Sequence, residues 1–290
     1  MLCRRGQTMS GTGVQRVLSK ELVFPASMNF VAPIIVGDLI RVGSANDGGY
    51  VIPERLIHEI DFLVSMGVEE NWAFEEQFMK LNPSLRIHAY DYSISRRIFR
   101  KRVLVGAIGA CLGKWSFAEV RRRVRVLKSY GAFFRGTTRH FQERIFNPSN
   151  WPIDVTLAQV FERIDSDRVF LKIDIEGSEY RIVDEIAQFA HRISGMAIEF
   201  HDTGPLRPVF SAAIRRIQES FAIVHLHGNN YAGISADGVP EALEVTFLKK
   251  TLCRELQLHD SEERRTRLPL ASTDAPSDPR RSDYEIRFCL

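Results

Sequence analysis

The tightest constraint on how this chain folds lies at residues 169–180, Val-Phe-Leu-Lys-Ile-Asp-Ile-Glu-Gly-Ser-Glu-Tyr. A short apolar run closed by acidic residues and a Gly-Ser pair reads as a buried parallel strand that delivers the chain into a helix start. In open α/β sheets, ligands bind beyond the carboxyl ends of such strands. Here that end carries Asp174 and Glu176, with Lys172 just below. Acidic residues favour a helix N-terminus in any protein, but three ionisable groups around one buried strand end are costly to desolvate unless they are paired or used. The stretch is therefore expected to form the floor of a site.

A second strand end upstream suggests what the site holds. Residues 62–66 form an apolar strand, Gly67 opens a turn, residues 72–79 have helical amphipathicity, and residues 86–90 form another strand that ends at Asp91. Gly67 precedes Asp91 by 24 residues, close to the roughly 20 that separate a glycine turn from the ribose-binding acid of nucleoside-binding folds. A dinucleotide needs its pyrophosphate on bare backbone N–H groups, usually with three glycines. This turn has one glycine, followed by Glu69 and Glu70. Carboxylates there repel phosphate and attract an ammonium or sulfonium, so S-adenosylmethionine fits better. Residues 102–105 are expected to be the third strand. The small-residue turn after it, Gly106-Ala107-Ile108-Gly109, is where an adenine ring could lie.

Farther along, residues 195–202 alternate so that Glu199 and His201 share one strand face, as Lys172 and Asp174 do on theirs. If the two strands are neighbours, Lys172 pairs with Glu199 beneath a site lined by Asp174 and His201. Residues 222–227 form another strand, running into Gly228-Asn229-Asn230-Tyr231, a set of donors and acceptors suited to substrate hydroxyls. Residues 243–248 complete the apolar strands, and residues 284–288 could add an edge strand. The Asp47-Gly48-Gly49 turn joins two short extended pieces into a hairpin, where Arg41, Asp47 and Tyr50 supply polar reach.

These features resemble the FkbM-type family of S-adenosylmethionine-dependent methyltransferases. The likeness is carried by residues 171–180, by Ala197-Ile198-Glu199-Phe200-His201, by Asp47-Gly48-Gly49-Tyr50, and by Val64-Ser65-Met66-Gly67 with Asp91; it spans roughly residues 41–248. It implies a Rossmann-like seven-strand sheet of class I methyltransferase type, mostly parallel with an antiparallel edge and helices on both faces. It also implies oxygen methylation of a sugar or another small hydroxylated molecule. Cofactor contacts are then expected from Ser65, Met66, Gly67, Glu69, Asp91, Tyr92, Ile108 and Asp174. His201 is the expected proton acceptor, with His227 second and Glu176 beside them; Asn229, Asn230 and Glu199 would meet the acceptor. Asp174 and Glu176 could instead hold Mg2+, since hard carboxylates suit it.

The layout expected is an N-terminal mobile arm over residues 1–33 and a methyltransferase domain over residues 34–250. That domain would include a hairpin region at 34–60 and a basic insertion at 94–150, and a partly packed tail would occupy 251–290. Net charge is only +3, yet residues 94–144 carry 14 Lys and Arg against two Glu. That asymmetry suggests an anionic partner or acceptor. The run has no aromatic interleaving of the kind that grips single strands, which disfavours nucleic acid. Two rival functions remain: a metal-dependent hydrolase using Asp174, Glu176, Glu199, His201 and Asp202, and an anion- or nucleic-acid-binding module using the arginines. Four scattered cysteines without metal or disulfide spacing, and no long apolar segment, suggest a soluble cytoplasmic protein.

Overall fold

A computed structural model of the chain describes residues 20–255 and 263–290. In chain order the elements are β1 (Lys20–Phe24), β2 (Leu39–Gly43), β3 (Gly49–Pro53), α1 (Glu54–Glu59), β4 (Phe62–Met66), α2 (Ala73–Leu81), β5 (Arg86–Tyr90), α3 (Arg96–Cys111), α4 (Phe117–Phe133) and β6 (Thr138–Phe141). There follow β7 (Arg144–Ile145), β8 (Asp154–Val155), α5 (Leu157–Glu162), β9 (Val169–Ile173), α6 (Val183–Gln188), β10 (Ile193–Phe200), α7 (Arg207–Ile217), β11 (Phe221–Gly228), β12 (Leu243–Lys249), α8 (Lys250–Glu255), β13 (Arg267–Leu268) and β14 (Tyr284–Phe288).

The organising layer is a seven-stranded sheet in the order β11-β12-β10-β9-β4-β5-β6. Strands β10, β9, β4, β5 and β6 run parallel, while β12 runs against both β10 and β11. This is the expected seven-stranded Rossmann-like sheet, mostly parallel with an antiparallel edge. Its central strands are buried on both faces, so alternate residues enter different cores: Val169, Leu171 and Ile173 join one, Phe170 the other. The β2–β3 hairpin forms as its Asp-Gly-Gly turn predicts, with Gly43 opposite Gly49, and it lies over the sheet through Thr246, whose hydroxyl donates to the Val51 carbonyl at 2.7 Å. Arg41 braces the turn itself, donating to the Ser44 carbonyl at 3.0 Å.

Two expectations are overturned. Residues 102–105 are not a strand; they lie inside α3, which Ser95 caps by accepting the Ile98 N–H at 3.3 Å. The apolar run Val103-Leu104-Val105 suggested a strand, but Phe99, Gly106 and Ala110 recur at helical spacing and form the buried side. The third strand is β6, beyond α4. The N-terminal arm is also corrected from Lys20 onward: β1 pairs in parallel with β14, and Phe24, Met28 and Val31 are buried. Its partners come from the far end of the chain, so no local period could announce it. Residues 1–19 lie outside the described residues. Among those described, no helix is long and apolar enough to cross a membrane.

Candidate active site

The carboxyl ends of β4, β9 and β10 and the loops after them enclose two adjoining cavities. One, of about 340 Å³, lies over Asp91, Tyr92 and Ile175; the other, of about 440 Å³, lies over Lys172, Glu199, His201 and Asn229. Gly67, Glu69, Asp174 and Glu176 line both and form the wall between them. The geometry of this wall depends on Gly67, which has φ of 74° and whose missing Cβ would stand 1.7 Å from the Asp174 carbonyl oxygen. Three acidic residues at these strand ends, Glu69, Glu176 and Asp202, also adopt positive φ, at 49°, 54° and 52°. Left-handed backbone in non-glycine residues costs energy and gathers where function requires it.

Asp91 is buried and accepts three backbone N–H groups: Val68 at 3.1 Å, Glu69 at 2.7 Å and Ser93 at 2.7 Å. Its carboxylate thus holds the glycine turn against the end of β5. Tyr92, half exposed, lines the same cavity. Three expected cofactor contacts are not brought there by their side chains. The Ser65 hydroxyl is fully buried and donates to Glu75, while Met66 packs in the core. Ile108 sits on the outer side of α3, because the turn expected around it is helix. Arg144, Ile145 and Ser178 line the cavity instead and were not foreseen; Arg144 follows the unrecognised strand β6.

In the second cavity, Lys172 lies 3.3 Å from Asp174 Oδ2 and donates to the Gly67 carbonyl. β9 and β10 are neighbours as supposed, yet the direct partner of Lys172 is Asp174, not Glu199. Burial works against the ammonium, but Asp174, Glu75 and Glu199 hold its pKa above the ordinary lysine value. The Tyr50 hydroxyl points to the same Asp174 oxygen at 3.4 Å.

His201 Nδ1 lies 2.9 Å from buried Glu179, and its Nε2 is 3.6 Å from Glu176 and 3.7 Å from Glu199. Burial opposes charging the ring, but the Glu179 hydrogen bond and the surrounding carboxylates outweigh it and raise the pKa to about 9. At neutral pH His201 is an imidazolium. Glu199 is buried, accepts from Asn229 Nδ2 at 2.8 Å, and stands opposite Glu244 across the β10–β12 pair. Burial, then Asp174 and Glu244, raise its pKa well above that of an ordinary carboxylate, with His201 pulling the other way.

His227 and Asn230 leave the site. His227 lies fully buried between Glu244 at 3.2 Å and Asp283 at 3.0 Å, and those two carboxylates hold its pKa well above the usual histidine value despite burial. Asn230 accepts the Asp278 N–H at 2.6 Å and donates to the Asp278 and Ser282 carbonyls. Both residues clamp the C-terminal segment. The sequence offered no sign of this, since the clamped segment lies about 50 residues away.

The methyltransferase FkbM domain matches residues 137–226, from the edge of β6 into β11, including the 169–180 stretch and His201. Residues 137–226 are thus similar to the methyltransferase FkbM domain. The FkbM match is shorter than the span over which the sequence resembles the family, leaving out the Gly67 turn and Asp91. No curated protein matches the chain. Similar solved structures include the fibrillarin pre-rRNA processing protein of Methanococcus jannaschii, at 11% identity and TM-score 0.34, covering 68% of this chain and 68% of that one. A precorrin-6y C5,15-methyltransferase from Geobacter metallireducens has 11% identity and TM-score 0.34, with 68% and 87% covered. Spermidine synthase from Thermotoga maritima has 11% identity and TM-score 0.37, with 73% and 64% covered.

Proposed function

We propose that the protein transfers a methyl group from S-adenosylmethionine to a hydroxyl of a sugar or another small hydroxylated acceptor. The observation that carries this is the pair of cavities sharing a wall of Gly67, Glu69, Asp174 and Glu176. A donor in one and an acceptor in the other would meet across that wall. When bound, S-adenosylmethionine supplies a methyl group on a positively charged sulfur, which leaves neutral and needs no acid.

The chain's residues fit such a donor. Gly67 allows close backbone approach, Asp91 borders the cavity on the ribose side, and the carboxylates of the wall attract a cation while disfavouring phosphate. The work left to the protein is alignment, exclusion of water and acceptance of one proton. As an imidazolium His201 cannot take that proton, so the role passes from His201 to Glu199. Glu199 lines the acceptor cavity, is held by Asn229 at 2.8 Å and has the His201 imidazolium 3.7 Å away to favour its ionised form. His201 and Asn229 then orient it from two sides, and Lys172 neutralises Asp174 behind.

Asp174, Glu176 and His201 do bring one possible ligand atom each within 4.8 Å of one another. They fit Mg2+ poorly, because Lys172 already sits on Asp174 and Mg2+ takes oxygen ligands in preference to an imidazole. No step is routed through a metal, and the hydrolase alternative, which needs one, has the weaker support.

Calorimetric titration with S-adenosylmethionine and with its demethylated product tests the proposal. The parent should bind both, and Asp91→Ala should lose at least ten-fold in affinity as the glycine turn is released. Absence of heat with either ligand in the folded parent would overturn it.

A further inference from the structure

The hairpin of α3 and α4 inserted between β5 and β6 exposes an apolar face. At 100° per residue, Arg97, Lys101, Leu104, Ile108 and Leu112 fall on one stripe along α3 and the turn after it. Phe99, Gly106 and Ala110 form the opposite, buried side. Leu104 is 61% exposed, Ile108 52% and Leu112 67%; Phe117, at the start of α4, is 67% exposed. Beyond Phe99 the buried side is glycine and alanine while leucine and isoleucine face solvent, the reverse of an ordinary surface helix. On α4, the partly exposed Val120 and Val124 share the side of Phe117 and lie beside Arg121 and Arg125 in a shallow groove.

The charge of the hairpin is as one-sided as its apolar face. Residues 96–133 carry 11 Lys and Arg and a single acid, Glu119, which Arg122 and Arg123 already hold at 2.9 Å and 2.8 Å. Apolar side chains flanked by exposed bases match the boundary of an anionic bilayer, where the bases meet headgroup phosphates and the aliphatic groups reach the acyl chains. Nucleic acid would use the bases but gain nothing from the leucines.

We propose that the α3–α4 hairpin docks the protein on anionic membrane surfaces, with Leu104, Ile108, Leu112 and Phe117 entering the interface. The hairpin is tied to the site by residues away from that stripe. Glu70, next to Glu69 of the shared wall, bridges Arg102 at 2.5 Å and Arg122 at 2.9 Å. Docking of the hairpin therefore fixes the loop after β4 relative to the bilayer. This inference does not depend on methyl transfer.

Vesicle flotation of the full chain tests it, using phosphatidylcholine alone and phosphatidylcholine mixed with phosphatidylglycerol. The parent should float with the mixed vesicles, at least ten-fold more than with neutral ones, and high salt should reduce the bound fraction. The triple variant Leu104→Ser, Ile108→Ser, Leu112→Ser keeps the charge and should lose at least ten-fold. If that variant does not fold, Arg97→Gln with Lys101→Gln provides the second arm, with a similar direction of loss. Three results would overturn the proposal: no flotation with anionic vesicles, flotation of the folded triple variant equal to the parent's, or a solution dimer that the variant dissociates while vesicles bind neither form.

Discussion

A histidine at a strand end exchanges protons near neutral pH only if its neighbours leave its basicity alone, and Glu179 and Glu199 do not leave that of His201 alone. Its folded pKa, about 9, lies above the ordinary 6.5. The charged pairing therefore contributes stability fully below pH 6.5, and the contribution is lost as pH rises through about 9. Thermal melts across that window should show a fall for the parent that His201→Asn lacks. Glu199 has the opposite sense for a carboxylate, since keeping it ionised in the core works against folding. Glu199→Gln retains an acceptor for Asn229, so its melting temperature at neutral pH should equal or exceed the parent's. Methyl transfer should fall by about 10²- to 10⁴-fold, the usual contribution of a positioned base. Both residue types were visible in the sequence. Which of them holds the proton was not, because it depends on carboxylates from β10, β12 and the loop after β9 that meet only in the fold.

At the scale of elements, strands with regular apolar runs were legible: β4, β5, β9, β10, β11 and β12 all lie where the pattern puts them, with the glycine turn after β4. That turn tolerates no side chain. Gly67→Ala would drive a methyl group into the Asp174 carbonyl, so the wall must shift; we expect a loss of about 3 kcal/mol or more in denaturant unfolding. The third strand was missed for an energetic reason. β6 is short and mixes Thr138, Arg139, His140 and Phe141, and it is held by pairing with β5 and by His140, whose Nε2 meets the Asp91 carbonyl at 3.0 Å. Its stability comes from the neighbour strand, which a local pattern does not contain.

For the whole molecule, the two ends of the chain close on each other. β1 lies against β14, and His227 joins Glu244 of the sheet to Asp283 just before β14. Replacing His227 by Ala leaves buried Glu244 and partly buried Asp283 without their cation, which should cost about 3 kcal/mol. The same variant should expose the C-terminal strand to limited proteolysis before the sheet unfolds, and equal protease resistance in parent and variant would contradict that clamp. The sequence by itself determined the alternation of apolar strands and helices, the acidic strand ends and the glycine turn, because these are short-range patterns set by backbone sterics and burial on one or two faces. Only the tertiary structure decided that residues 20–24 are a strand, that His227 and Asn230 are clamps, and that His201 is a cation beside Glu199. Each of those rests on partners brought from distant parts of the chain, and buried electrostatics is fixed by distance in space.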